Sequence, residues 1–294
     1  MKASSLLSDL KGKSYGAYEA AVFDAARTGK LVGWPLVPLT FDRNGHKVTL
    51  KVASDYLSVG EPDDLLRTPL FPITAQRICD MLGMMLPTPE IASQIWRQAT
   101  MRLTPTPMVP NLGPSLQQFA DHSAAVDKQK ASSGQPWGAL SNGQKKDIVV
   151  GHLVRPGKVI IFGWFWPDDA TIHGPYMTDD LRASNPIQPD SDAHGDTYVD
   201  YSHGVRLVCR ECEADGTKRD LVELLADPTY AALLSVASSA APQEAGPVSP
   251  SQSRYPAPAL PAGQNAVPYV FAAQERRDPA DRGLDVIRAR KTDG

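Results

Sequence analysis

The chain has 294 residues, 42% of them hydrophobic and 21% charged, and its 30 basic and 33 acidic residues leave a net charge of −3. That balance excludes broad electrostatic binding to nucleic acid, which needs a basic surface, while the length suits one large domain or two modest ones. No apolar run approaches the ~18 residues of a membrane span, and three cysteines argue against a disulfide scaffold.

Residues 1–14 contain early lysines but neither a continuous apolar h-region nor a small-residue cleavage site. They read as a flexible N-terminus, and the chain as cytoplasmic, with a secreted mature form as the alternative. Residues 17–29 form a short helix that Gly29 ends. Asn44-Gly45 is a hairpin turn signal, and Lys47 to Leu57 after it is a strand. Thr74 to Leu82 and Pro89 to Met101 are two helices joined by Gly83 to Thr88. Ile78, Met81 and Leu82 share a packing face of the first, and Ile91, Ile95 and Gln98 one of the second.

Prolines 105, 107, 110 and 114 then interrupt the chain. Leu116 to Lys130 is a polar helix or ordered loop, and Ser132 to Pro136 a flexible connector. A β region begins near Lys145, with strands at Ile148–Val154 and Lys158–Trp166 joined by Arg155-Pro156-Gly157. The second is apolar on both faces, with Ile160, Phe162, Trp164 and Trp166 on one and Val159, Ile161 and Phe165 on the other, the mark of a strand covered on both sides. Pro167 to Asp192 is a long Asp-, Pro- and Ser-rich loop of the kind that forms lids and binding loops. Tyr198 to Arg210 returns to a strand pattern. Lys218 to Leu225 and Pro228 to Ser235 are a closing helical pair with Asp227-Pro228 as the cap and first turn of the second.

The expected architecture is therefore α+β: one domain over residues 15–236, with a helical subregion (15–130) packed on a mixed or antiparallel sheet in a sheet-rich subregion (140–236). Residues 237–270 are a Pro/Ala/Ser-rich disordered linker, and 271–294 a charged tail able to order on another protein.

Candidate chemistry concentrates in His194 to Arg206, where 13 positions hold two of the six histidines, two carboxylates, a serine, two tyrosines and an arginine. If Tyr198 to Ser202 is extended, Tyr198, Asp200 and Ser202 point to one face, and Val199, Tyr201 and His203 to the other. A serine needs a base, and the base an orienting acceptor. The expected catalytic set is His194 or His203 as base, Asp200 as its orienter, and Ser202 as nucleophile or hydrogen-bond donor. Arg206, Tyr198, Tyr201, Trp164 and Trp166 are the expected substrate contacts, with Arg206 as a bidentate clamp. The expected activity is hydrolysis of a peptide, ester or glycan. His194, His203 and Asp200 or Asp196 could instead ligate a divalent metal, zinc or iron, which would activate water directly, with His173 from the long loop as a further ligand.

The rival reading is a non-catalytic module that grips a carbohydrate, peptide or protein with aromatic residues in the 162–201 region, chiefly Trp164, Trp166, Tyr176 and Tyr198. Cys209-x-x-Cys212 reads as two free thiols at a strand end, with Cys79 the other thiol, and His152 as a partly buried histidine. Lys145-Lys146-Asp147 reads as an exposed strand start, or as a contact for an anion. Residues 72–99, with Cys79, Gly83 and Leu86-Pro87-Thr88 between two helices, resemble a helix–Gly–Leu-Pro-Thr–helix segment of formylglycine-generating enzymes, and Gly204-Val205-Arg206-Leu207 is loosely similar to their closing Gly-Phe-Arg. That resemblance implies a C-type-lectin-like fold as the minor alternative.

Overall fold

Asn44 and Gly45 both take positive φ, 58° and 79°, and the tight turn they make folds β1 (Leu36–Arg43) onto β2 (His46–Ala53) in continuous antiparallel register from Arg43↔His46 to Leu36↔Ala53. The computed structural model describes residues 1–109, 114–151, 157–165, 186–191 and 193–235. The expectations for His152, Arg155, Trp166, His173, Tyr176 and most of the 167–192 loop, and for the linker and charged tail, fall outside them.

The fold is a mixed α+β arrangement with seven helices and several largely antiparallel sheets among the described residues. β1 and β2 belong to a six-stranded sheet completed by β5 (Met84–Met85), β12 (Val208–Cys209), β13 (Glu211–Ala214) and β14 (Thr217–Asp220). Strands from both halves of the chain thus share one sheet, whereas a helical N-terminal half was expected to pack on a C-terminal sheet. The hairpin β13–β14 was missed because Lys218 to Leu225 was assigned to one helix. Its signal is Asp215-Gly216, whose φ values of 49° and 79° repeat the Asn44-Gly45 solution. The helical part is only α6 (Leu221–Ala226), followed by α7 (Pro228–Leu234) with the Asp227 carboxylate accepting from the Thr229 N–H at 2.9 Å as the cap.

A second sheet runs β10 (Pro186–Ser191), β9 (Ile160–Phe165), β8 (Lys146–Val149), β11 (His203–Gly204), with β11 parallel to β8 and the other pairs antiparallel. The expected single strand Tyr198–Arg210 is therefore two short strands in two sheets. Between them the chain crosses from one sheet to the other, held by the Leu57 N–H on Val205 O (2.8 Å) and the Ala53 N–H on Leu207 O (2.9 Å). Short pairs β3 (Ser58–Glu61) with β4 (Asp64–Arg67), and β6 (Met101–Arg102) with β7 (Ser141–Asn142), complete the strands.

Residues 3–9, expected to be flexible, form helix α1, and Ala3, Leu6 and Leu10 are buried in the main core with Val59 and Leu66. Helix α2 (Tyr15–Arg27) starts where the Ser14 hydroxyl accepts from the Ala17 N–H. Helices α3 (Pro72–Leu82) and α4 (Pro89–Gln98) flank the Gly83 to Thr88 connection. Gly83 ends α3 at φ 66°, Thr88 caps α4 by accepting from the Ile91 N–H at 3.1 Å, and Pro89 sits where no N–H is needed. Helix α5 (Leu116–Ser132) buries Phe119, His122, Ser123, Val126 and Lys130. The main core joins Trp34, Leu39, Phe41, Leu50 and Val52 to Ile78, Ile91, Val205, Leu207 and Leu224.

β9 departs from simple alternation. Gly163 (φ 113°) and Trp164 (φ 61°) are both left-handed, so the faces exchange after Phe162. Phe162 and Phe165 meet edge-to-face at 5.9 Å beside Trp96, whereas Trp164 joins Ile161 and Val159 in the main core. The expected pairing of Phe162 with Trp164 on one face is corrected accordingly.

Candidate functional site

The 194–206 segment is organised by a turn that Asp200 builds for itself. Its Oδ1 accepts from the Ser202 N–H (2.7 Å) and the Ser202 hydroxyl (2.5 Å), and its backbone carbonyl from the His203 N–H (3.2 Å). A short acceptor side chain folding onto the backbone two residues ahead is why Asp favours such turns. The turn puts His203 back over Asp200, with Nε2 at 3.9 Å from Oδ2, so the extended alternation expected for Tyr198 to Ser202 does not form. His194 stacks flat on Tyr198 (centroids 4.2 Å apart, planes at 8°), and both rings lean on His203, at 6.1 and 5.6 Å. Tyr198 also donates to Asp200 Oδ2 at 3.3 Å. His194, Asp200, Ser202, His203 and Tyr198 are thus brought together.

His203 is fully buried, and neither ring nitrogen has a hydrogen-bond partner. Burial pushes its pKa down to about 4, against the pull of Asp200. Burial would raise the Asp200 carboxyl, but His203, the Ser202 hydroxyl and Lys146 bring it down to about 2. At neutral pH the imidazole is therefore uncharged, and the carboxylate is stabilised by the Ser202 hydroxyl and the charge of Lys146. Burial also depresses His194.

Beneath the turn lies a polar layer that the sequence reading missed. Lys145, expected at an exposed strand start, is buried. Its ammonium donates to Tyr201 O at 2.7 Å and lies 3.4 Å from His122 Nδ1. Burial first, then the charge of Arg67, lowers Lys145 to about 7, and burial with the charge of Lys145 lowers His122 to about 2. Asp147, also fully buried, is raised by burial to about 7 against the pull of Arg206. The Tyr56 hydroxyl lies 3.2 Å from Asp147 Oδ2 and 3.1 Å from Asn142 Oδ1. Deeper still, the Asp55 carboxylate accepts from the Arg67 Nε and Nη2 (3.2 and 2.9 Å), Lys130 Nζ (2.7 Å) and Gln144 Nε2 (3.3 Å). The charges of Arg67 and Lys130, with a smaller pull from Arg206, hold Asp55 well below the usual carboxylate range despite its burial. The run Asn142-Gly-Gln-Lys-Lys-Asp147 leads directly into an apolar strand, but its burial is set by partners far along the chain.

The expected substrate contacts divide. Arg206 is fully buried, with its guanidinium 4.0 Å over the Tyr56 ring, Nη1 on Ala53 O (2.9 Å) and Nη2 on Ser141 O (2.7 Å), so two of its nitrogens are engaged by backbone. Tyr201 is buried with its hydroxyl at Met108 N and O. Trp164 is nearly buried, donates from Nε1 to Gln144 O at 3.2 Å, and has Lys146 Nζ over its face at 4.6 Å. Among the described rings of this set, Tyr198 is the exposed one, at 39%.

Among the described residues no group of three or more His, Cys, Asp or Glu is placed to hold a metal ion, which leaves the zinc or iron reading of His194, Asp200 and His203 without support. Cys79, Cys209 and Cys212 are not disulfide-bonded, and Cys212 donates to Arg219 O at 3.4 Å and is raised by burial to about 12. No described helix is long and apolar enough to cross a membrane. Comparison with family models, curated proteins and solved structures finds no match.

Proposed function

We propose that the chain is a hydrolase in which His203 is the general base, activating a water molecule for attack on a peptide, ester or glycan. The observation that carries this reading is a neutral, buried imidazole with both ring nitrogens free of protein partners, 3.9 Å from a carboxylate that stays ionised. A buried polar group without a partner is costly, and a base whose acceptor nitrogen is not engaged by the protein is ready to take a proton. Asp200 stabilises the imidazolium as it forms. Of the two roles expected for Ser202, the geometry supports hydrogen-bond donor, because its proton already goes to Asp200 and not to an imidazole. Tyr198 and His194 offer a stacked ledge for substrate. Arg206 anchors the crossing that carries the turn.

The test is turnover of ester, peptide-anilide and aryl-glycoside panels by the wild type and by His203→Gln. The reading expects kcat/KM to rise with pH through an inflection near 4, where His203 loses its proton, and the variant to lose turnover while keeping its melting temperature. Retained turnover in His203→Gln, or no hydrolysis of any panel by the wild type, overturns it. A purely binding role predicts the latter result together with ligand capture at Tyr198.

A further inference from the structure

One row of the second sheet runs Gln188, Gly163, Lys146, His203, each paired in register with the next. Residues in register project from the same face of a sheet, so Lys146 is the immediate neighbour of His203, and Gly163 beside it contributes no side chain. The left-handed turn of the chain at Gly163 and Trp164 brings the indole under the Lys146 ammonium, 4.6 Å from the ring centroid. A bulky residue with positive φ costs on the order of 1–3 kcal/mol and persists only where its surroundings hold it. Here the indole N–H on Gln144 O and its place in the main core do so. Lys146 is half-buried and makes no ion pair among the described residues, although the charge of Asp200 acts on it. A cation held on an aromatic face beside His203, with no ion pair among the described residues, is placed to receive negative charge.

We infer that Lys146 holds the oxyanion of an acyl substrate, so that the bond cleaved at this site is an ester or amide rather than a glycosidic bond. This rests on the reading of His203 as base. Glycoside hydrolysis builds positive charge on the sugar and needs a pair of carboxyl groups, one protonated. Among the described residues the carboxyl set against His203 is Asp200, which is ionised, and a fixed ammonium would oppose an oxocarbenium ion. Acyl transfer builds negative charge on the carbonyl oxygen, which the same ammonium stabilises. Water attacks the carbonyl carbon as His203 takes its proton, and the C=O electron pair moves onto oxygen beside Lys146. Collapse restores the C=O and breaks the bond to the leaving group X, which receives the proton back from His203. The sum is R–CO–X + H2O → R–COOH + HX.

The experiment compares wild type, Lys146→Met, Lys146→Arg and His203→Gln on p-nitrophenyl acetate, N-acyl anilides and aryl glycosides, and measures phenylphosphonate binding by calorimetry. Acyl substrates alone are expected to turn over. Lys146→Met is expected to lower kcat by about 10²–10³-fold with KM little changed, the signature of a contact made in the transition state, and Lys146→Arg to recover part of the loss. The phosphonate, a tetrahedral oxyanion mimic, is expected to bind at least about tenfold more weakly to Lys146→Met and nearly normally to His203→Gln. Full kcat and unchanged phosphonate affinity in Lys146→Met, with His203→Gln inactive, overturn the role of Lys146 and leave the base reading standing. Turnover of glycosides alone overturns the acyl assignment. Acyl turnover that survives in His203→Gln but not in Lys146→Met overturns the base reading, and absence of all turnover counts against both.

Discussion

Asp55→Asn removes one charge from the centre of the molecule at almost constant volume, which makes it the sharpest test of the buried network. In the wild type the carboxylate meets Arg67 through two nitrogens, Lys130 at 2.7 Å and Gln144 at 3.3 Å, with Asp55 and Arg67 fully buried and the Lys130 side chain 6% exposed. Breaking a buried pair from one side costs about 3–5 kcal/mol, because the remaining cations stay desolvated. Arg67 keeps Asp127 at 2.8 Å, and Lys130 keeps the face of Trp34 at 4.5 Å, so the lower end applies, about 3 kcal/mol. In a domain of this size that is a fall of about 6–12 °C in Tm. Urea denaturation followed by tryptophan fluorescence should show the loss with an unchanged m-value. Asp127→Asn, at a carboxylate 44% exposed, should cost under about 1 kcal/mol. The sign with pH is fixed as well. The folded Asp55 carboxyl is held below its unfolded value, so its contribution is complete above pH ~4 and fades as the pH falls further; the gap between wild type and variant should narrow in acid. A loss below about 1 kcal/mol at pH 7 would refute the claim that this network holds the fold.

Asp147 and Lys145 should give opposite slopes. With Asp147 raised to about 7, the folded state binds the extra proton between pH ~4 and ~7, so stability falls as pH rises across that window, by about 4 kcal/mol in full, and Asp147→Asn should flatten the fall in thermal melts. With Lys145 lowered to about 7, the unfolded state binds the extra proton between ~7 and ~10.5, so stability rises with pH there, and Lys145→Met should abolish the rise. A β-carbon on Gly204 would lie 2.5 Å from the Tyr56 ring and 3.1 Å from Lys145 Cβ, so Gly204→Ala should destabilise by about 1–3 kcal/mol, the usual range for overpacking. A neutral Gly204→Ala in urea titration would show that the crossing relaxes freely.

The parts of the fold that were legible are those written locally. Asn44-Gly45, Gly83, Thr88-Pro89 and Asp227-Pro228 each encode a turn or cap within four residues, and each is where the residues put it. The gathering of His194, Asp200, Ser202 and His203 was likewise visible because they are near in sequence. What was not legible depends on partners far along the chain. Asp55 meets Lys130 and Gln144, and Lys145 meets His122 and Tyr201. A lysine at the head of a strand is indistinguishable from a solvated one until the facing helix is known. The β9 kink was hidden for another reason: alternation assumes ordinary φ, and Trp164 is a residue that rarely departs from it.

The two polar layers are linked through the turn itself. Lys145 grips the carbonyl of Tyr201, one residue before Ser202, while the Lys146 N–H donates to Ser202 O at 2.8 Å. Adjacent residues at the head of one strand therefore fix the turn that presents His203, one from the buried side with its ammonium and one through the backbone. Under the proposed hydrolysis that arrangement would give the Asp55 network a functional consequence. Arg67 and Lys130 neutralise Asp55, and Gln144, bonded to the same carboxylate, also receives the Trp164 indole N–H on its carbonyl. The strained tryptophan that supports Lys146 thus stands on a residue anchored in the buried network. Loosening Asp55 should reach the site through Gln144 and Trp164 before it reaches His203, so activity loss in Asp55→Asn should follow the Lys146→Met pattern, in kcat more than in KM.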